Sequence, residues 1–193
     1  MDALKLLTQD HRGLERLFKT YERTGAGTSN QKERLAAQII LELSTHASIE
    51  EQFLYPTARE LSKSFDAHVL QALEEHHLAA VTLAELAKTP TRDERFDAKM
   101  AVLMENVRHH VEEEEGDLFP ELRRLMDRSQ LALLGEAMEQ AKASDSLPQD
   151  SSPQSVYSDA VAKILESGTG LVLGTTLAAM RVVSPLNSAH SSR

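Results

Sequence analysis

Apolar residues recur at steps of three and four along four successive stretches of the chain, and each stretch predicts an amphipathic α-helix. The first helix runs from Ala3 to about Arg23, and a fifth, shorter helix follows Ser129. The four stripes contain Leu4, Leu7, Leu14, Phe18 and Tyr21; then Ile39, Leu43 and Phe53; then Val69, Leu73, Ala80, Leu83 and Ala87; then Phe96, Met100, Leu103, Val107 and Asp117. Short connections make neighbouring helices antiparallel. The chain is therefore predicted to be all-α, an up-down-up-down four-helix bundle with a short fifth helix and a C-terminal extension.

Each of the four stripes contains one histidine at a position that is predicted to face the core. These residues are His11, His46, His76 and His110. The adjacent His77 and His109 are rotated by about 100° at 3.6 residues per turn, so the stripes exclude them. Counted from the connecting turns, the paired histidines lie at matching heights to within about one turn. The pattern predicts that the four imidazoles meet in one layer of the core.

A repeated segment adds carboxylates to that layer. HASIEEQFLYP begins at His46, HVEEEEGDLFP begins at His110, and their shared His, Glu, Leu and Pro residues are all 64 positions apart. Glu50 and Glu114 each follow their histidine by four residues, which places imidazole and carboxylate on one helix face. Such a pair can bind one metal ion or bridge two. The proline that closes each copy is expected to kink or end the helix.

Composition narrows the chemistry of this predicted layer. The 193-residue chain has no Cys, so its strong metal ligands are limited to His and carboxylates. The net charge of −9 argues against nucleic acid or an anionic membrane as partner. No signal peptide is evident at the N-terminus, so we expect a soluble, cytoplasmic protein.

The chain divides into a bundle and a C-terminal appendage. Residues 1–143 form the predicted bundle domain, residues 144–155 are a Pro/Ser/Asp-rich linker, and residues 156–193 are a tail of unknown role. The apolar stretch Leu171–Val183 is shorter than the roughly 20 residues that a spanning helix needs, so we expect no membrane insertion.

Six polar side chains in one core layer indicate a metal centre. A lone His in an apolar stripe is more often a hydrogen-bonded core residue, but four at one height, two with Glu one turn on, reverse that expectation. Burying carboxylates costs several kcal/mol per unpaired charge, and cations would offset it. Six ligands exceed the four of a structural zinc and suit two ions. Glu15, four residues after His11, is a weaker candidate ligand because its stripe favours Leu14 instead. Glu115 is expected on a solvated face.

The chain resembles the hemerythrin-like proteins of the HHE cation-binding family. The matching motifs are Asp10–His11, the two repeated segments, and EEHH at Glu74–His77, and they span Met1 to about Ala143. The resemblance implies a four-helix bundle that holds two non-haem irons with an oxo or hydroxo bridge between them. It also implies that this centre interacts with dioxygen, peroxide or nitric oxide. Its implied ligands are His11, His46, Glu50, His76, His110 and Glu114.

One departure from the family pattern bears on function. Oxygen-carrying hemerythrins have a second His one turn from that of the third helix, whereas Ala72 and Ala80 occupy both such positions around His76. This points away from reversible oxygen carriage and toward redox chemistry, sensing or peroxide removal, with catalase-like turnover as one candidate. The alternative is a non-catalytic iron-responsive or metal-storage module that a protein partner reads.

Overall fold

A computed structural model of the chain describes residues 1–24 and 29–145. The predicted linker beyond Asp145 and the tail 156–193 lie outside the described residues. The helices are α1 (Ala3–Thr24), α2 (Ser29–Ile49), α3 (Tyr55–Leu61), α4 (Asp66–Lys88), α5 (Glu94–Glu113), α6 (Phe119–Leu125) and α7 (Arg128–Asp145). The described residues contain no strand, and the predicted all-α, hemerythrin-like bundle is confirmed.

Four long helices, α1, α2, α4 and α5, make the bundle. The largest contacts join α1 to α2 and α4 to α5, while α1 also touches α5 and α2 touches α4. The fifth long helix, α7, packs on α1 and α2. It begins at Arg128, where the Asp127 carboxylate accepts the backbone N–H groups of Ser129 and Gln130 as a cap. It continues to Asp145, two residues beyond the predicted end of the bundle domain.

Both copies of the repeated segment contain a π-helical turn. These turns are Glu50–Leu54 and Glu114–Leu118, and in each one a backbone N–H reaches back five residues, from Tyr55 to Glu50 and from Phe119 to Glu114. The proline that follows lies in the first turn of the next α-segment, the helical position that tolerates proline best. The chain therefore stays helical through each proline. Single π-turns of this kind occur frequently at functional sites.

Because of the π-turns, the buried positions that follow Glu50 and Glu114 differ from the predicted ones. Regular four–three spacing placed Phe53 and Asp117 inside, but Phe53 is only half-buried and Asp117 is exposed. Leu54 and Leu118 are fully buried instead. The reason is the extra residue in each π-turn, which moves the inward face one position along the chain.

The apolar core lies in two parts on either side of the histidine layer. One part includes Leu7, Leu54 and Leu118, and the other includes Leu14, Phe18 and Ile39. In α1 the buried His11 stands between Leu7 and Leu14, one in each part. The bundle thus holds its polar layer between two dry clusters that keep it from solvent.

No helix within residues 1–24 and 29–145 has the length and apolar character to span a bilayer.

Gly135 sets how closely α7 approaches the chain's N-terminus. A Cβ there would overlap the Met1 carbonyl oxygen and lie 2.7 Å from the Ala3 nitrogen, both rigid backbone atoms. We expect Gly135→Ala to lower the free energy of unfolding by about 1–3 kcal/mol through overpacking. Gly116→Ala is the matched control, since a Cβ at Gly116 meets nothing within 4 Å. Urea denaturation of both variants measures the difference, and equal stabilities would contradict this packing.

Candidate metal centre

The structure brings the six predicted ligands into one layer. All six are buried: His11, His46, Glu50, His76, His110 and Glu114. His77 and His109 are exposed, as the stripes require. Glu15 lies apart from the layer, where its carboxylate accepts a hydrogen bond from Arg108 at 2.8 Å and pairs with Lys19. Burial raises its pKa, but the hydrogen bonds and charges of Arg108 and Lys19 together outweigh burial and lower the pKa.

The four imidazoles form two pairs. In the first pair, Nε2 of His11 and Nε2 of His46 are 3.0 Å apart, and in the second, Nε2 of His76 and Nε2 of His110 are 3.2 Å apart. Each pair joins helices that are neighbours in sequence, α1 with α2 and α4 with α5. The inner nitrogens of both pairs point at the buried carboxylates.

Glu50 faces both pairs at once. Its Oε1 is 3.2 Å from His46 Nε2, and its Oε2 is 3.5 Å from His76 Nε2. Glu114 also reaches both, since its Oε2 is 3.4 Å from His11 Nε2 and 3.7 Å from His110 Nε2. A carboxylate with nitrogen donors of two pairs within reach is placed to bridge two ions.

The outer nitrogens of the imidazoles face four further carboxylates. Nδ1 of His11 donates to Glu115 at 2.8 Å, Nδ1 of His76 donates to Glu51 at 2.9 Å, and Nδ1 of His110 donates to Glu75 at 2.8 Å. Nδ1 of His46 lies 3.7 Å from Asp10, beyond hydrogen-bond distance. Carboxylates in this position fix the ring orientation of metal-binding histidines and raise their basicity.

These four carboxylates were not predicted from the sequence. Glu115 is exposed, as expected of a residue on a solvated face, but its carboxylate also accepts a hydrogen bond from His11 Nδ1, which was not expected. Their positions in the sequence could have indicated them, because each of these carboxylates lies directly next to a predicted ligand. The four residues are Asp10, Glu51, Glu75 and Glu115. The pattern along one helix does not show that each carboxylate faces a histidine of another helix.

The layer has an approximate two-fold repeat. Shifting α1 by 65 residues relates Asp10 and His11 to Glu75 and His76, and shifting α2 by 64 relates His46, Glu50 and Glu51 to His110, Glu114 and Glu115. The hydrogen bonds repeat as well, since Glu51 accepts a hydrogen bond from His76 just as Glu115 accepts one from His11. Two equivalent half-sites follow from this arrangement.

Tyr55 breaks the repeat. Its hydroxyl donates to Glu114 Oε1 at 3.0 Å and lies 3.3 Å from His76 Nε2, whereas its counterpart Phe119 stacks on the His11 ring with centroids 5.8 Å apart. Burial, with the charges of Glu114 and Glu50, raises the pKa of Tyr55 well above its ordinary value. The phenol therefore keeps its proton, and its hydroxyl lies beside the second half-site, where the corresponding residue of the first, Phe119, has none.

Buried atoms in the layer lack the partners that burial demands. Both Glu50 oxygens, Glu114 Oε2 and His46 Nδ1 have no hydrogen-bond partner among the described residues. In the second pair, Nδ1 of each ring donates to a carboxylate, so two neutral rings would turn their Nε2 lone pairs toward each other. A cation between the rings and the carboxylates removes both problems.

Without a metal ion, protons supply that positive charge. Burial lowers the pKa of His11, but Glu114 and Glu50 outweigh it and raise the pKa to about 10. Burial likewise lowers the pKa of His76, and Glu50 and Glu51 raise it to about 10. For Glu50, burial raises the pKa, but the surrounding histidines hold it well below its ordinary value. Glu50 thus stays ionised and requires cations beside it.

The spacing of the imidazoles fits one ion in each pair. With a metal–nitrogen distance of about 2.1 Å, nitrogens 3.0 and 3.2 Å apart subtend about 91° and 99° at the ion. Tetrahedral coordination would need about 3.4 Å. The pairs therefore suit neighbouring positions on a five- or six-coordinate ion. Two groups in the layer have ligand atoms close enough to hold one: His11, His46, Glu50 and Glu114, and Glu50, His76 and His110. A third such group among the described residues, Glu75, His109 and Glu113, contains none of the six predicted ligands.

Fold and site together define a metal-binding helical bundle, and comparison with known proteins gives its family. The family model of the Hemerythrin HHE cation binding domain matches residues 2–122. The chain belongs to the Hemerythrin HHE cation-binding domain family. α7 and everything after it lie outside the matched residues.

A solved structure shares the fold. The crystal structure of a Hemerythrin HHE cation binding domain-containing protein from Mycobacterium kansasii is similar over 84% of this chain and 99% of that chain, with a TM-score of 0.65 and 22% identity. No curated protein gives a significant match.

The choice of one His from each adjacent pair can be tested by metal content. We expect His46→Ala and His110→Ala each to reduce bound metal, because each removes a buried Nε2 from the layer. The matched controls His77→Ala and His109→Ala should bind as much as the unmodified chain, since both rings are exposed. Metal per chain after identical reconstitution measures this. Loss in His109→Ala equal to that in His110→Ala would contradict the assignment.

Metal binding should also release protons. With pKa values of about 10, His11 and His76 are protonated at neutral pH in the metal-free chain, and a cation that binds their Nε2 atoms must displace those protons. The apparent affinity should therefore rise with pH between about pH 6 and pH 9. Titration calorimetry in buffers of different ionisation enthalpy counts the released protons. An affinity that is independent of pH would contradict the protonation of these rings.

Proposed function

We propose that the layer holds two non-haem irons and that the protein binds or reacts with a small oxygen or nitrogen species there. His11 and His46 would hold one iron, His76 and His110 the other, and Glu50 and Glu114 would be shared. The observation that carries this proposal is Glu50, whose two oxygens face the two histidine pairs separately. This arrangement supports two ions, one beside each histidine pair.

Iron fits the donors better than zinc does. Imidazole nitrogen and carboxylate oxygen suit iron, and the angles near 90° within each pair differ from the tetrahedral geometry of structural zinc. Six protein ligands shared between two ions also leave coordination positions unfilled, which structural zinc sites do not.

When bound, a pair of irons supplies reversible redox change and open positions for small molecules. The chain's own residues hold that centre and control its protons. Glu51, Glu75 and Glu115 hold the outer nitrogens of three rings and thereby orient the inner ones. Tyr55 keeps a protonated hydroxyl against Glu114, next to the second half-site. It is the group placed to donate a hydrogen bond, or a proton, to a ligand that binds there.

Among dioxygen, peroxide and nitric oxide, the residues favour reaction over reversible oxygen carriage. Ala72 and Ala80 stand one turn on either side of His76, so neither offers a further imidazole to the second half-site. With two histidines in each half-site, water or another small ligand must complete the coordination. Removal or sensing of peroxide or nitric oxide is the proposed role, with catalase-like turnover as its enzymatic form.

A second candidate is a non-catalytic iron-responsive module. Lys142 of α7 lies 2.6 Å from both Asp10 oxygens, and Asp10 faces His46, so the last described helix is linked to the layer. Iron bound only by the folded state stabilises the bundle, and a protein partner could read that change. This function gives melting that depends on iron but no turnover of peroxide.

The test begins with anaerobic purification, iron quantification and optical titration with peroxide. We expect near-ultraviolet charge-transfer bands that change as peroxide is added and are restored by a reductant. An iron-loaded protein whose spectrum responds to neither peroxide nor nitric oxide would contradict the proposed function. Melting that depends on iron, in that case, would favour the second candidate.

The shared carboxylates give a sharper test. We expect Glu50→Gln and Glu114→Gln to lose the bands of the iron pair and any reaction with peroxide, because the amide keeps the shape but loses the charge between the two ions. Glu15→Gln is the matched control and should keep both, since Glu15 pairs with Arg108 outside the layer. Two irons per chain with an unchanged spectrum in Glu114→Gln would show that this carboxylate is not shared.

A further inference from the structure

A crevice leads from the surface to the second half-site. It runs along the seam between α2 and α4, and it is lined there by small residues, namely Ser44, Ala47, Ser48, Ala79 and Ala80. Its inner end is formed by three imidazoles, those of His46, His76 and His110. The exposed Asn106 and the half-buried Ala47 and Ala79 place its outer end at the surface.

The two-fold repeat provides an internal comparison for this seam. The shifts that superpose the half-sites map the α2–α4 seam onto the α5–α1 seam, residue by residue. Ser44 corresponds to Arg108, Ala47 to Val111, Ala79 to Leu14, Ala80 to Glu15 and Leu83 to Phe18. At all five positions the α5–α1 seam has the larger side chain.

In the α5–α1 seam these larger residues bridge the two helices. Arg108 of α5 donates from Nε to Glu15 of α1 at 2.8 Å and from Nη1 to Glu22 at 2.9 Å. Its guanidinium carbon lies 5.6 Å from the centroid of the Phe18 ring, so the side chain lies across the seam. At the equivalent positions of the α2–α4 seam, Ser44 and Ala80 are too short to form such a bridge.

We propose that the α2–α4 crevice is the route by which small ligands reach the metal centre and that the Arg108–Glu15 bridge closes the equivalent route on the other side. The inference rests on the proposed function for the identity of the ligand. The alanine and serine side chains along this seam leave room for molecules of a few atoms, such as nitric oxide and hydrogen peroxide, rather than for larger organic substrates. The route ends at the half-site that has the Tyr55 hydroxyl, so ligands arrive where a proton donor is present.

Replacing two crevice residues by the larger residues at the equivalent positions of the α5–α1 seam tests the route. The double variant Ala47→Val/Ala79→Leu installs the side chains of Val111 and Leu14, and both positions are half-buried and able to accept them. Azide is the probe, followed by stopped-flow absorbance on the iron-loaded, full-length chain. We expect the association and dissociation rate constants to fall together by about an order of magnitude while the dissociation constant and iron content stay unchanged.

Ala84→Leu is the matched control. Ala84 is also half-buried on α4 but does not line the crevice, so this variant should bind azide at the unmodified rate. If the double variant, with full iron content, also binds azide at the unmodified rate, ligands use another route and the inference is overturned. An iron-loaded parent chain that gives no spectral change with azide, peroxide or nitric oxide instead counts against the proposed function.

A second measurement tests whether reagents enter through the crevice, and it does not require iron. The chain has no Cys, so an introduced thiol is the sole one. Ser44 and Leu14 are each 2% exposed, but only Ser44 lines the crevice. We expect the thiol of Ser44→Cys to react with methyl methanethiosulfonate at least about tenfold faster than that of Leu14→Cys, because equal burial leaves access as the difference. Equal rates would overturn the proposed route whatever the iron does.

Discussion

The arrangement depends on two carboxylates buried at the centre of a helical bundle. Glu50 and Glu114 are at most 1% exposed, and three of their four oxygens lack a hydrogen-bond partner among the described residues. Leaving such charges unpaired in an apolar interior costs several kcal/mol each. His11 and His76 hold protons in the metal-free chain, and all four imidazoles offer nitrogen ligands to a cation. The stability of the fold and its affinity for metal are therefore two consequences of one electrostatic requirement.

The backbone meets that requirement through the two π-turns. Each turn begins at a buried Glu and ends before a proline, so a stretch that would break an α-helix instead adds one residue and continues. The result places the Glu toward the imidazoles of its own half-site and its successor, Glu51 or Glu115, toward a histidine of another helix. Metal ligands and the groups that orient them thus come from the same short segment.

Much of this could be predicted from the sequence. The choice of His76 over His77 follows from a rotation of about 100° per residue, and the position of Glu50 and Glu114 follows from the repeated segment. The π-turns could not be predicted, because proline signals a break but not how many residues the preceding turn contains. The roles of Asp10, Glu75 and Tyr55 depend on which side chains face them from other helices. Bundle topology alone does not fix those contacts. Ligation of metal by the six layer residues remains a prediction.

The most direct measurement of the central claim is X-ray absorption at the iron edge on protein loaded anaerobically and quantified for metal. We expect about two irons per chain, nitrogen and oxygen neighbours, and an iron–iron distance of no more than about 4 Å, as is usual in two-metal sites. A single metal per chain, or iron with no second metal in that range, would contradict the shared-carboxylate centre.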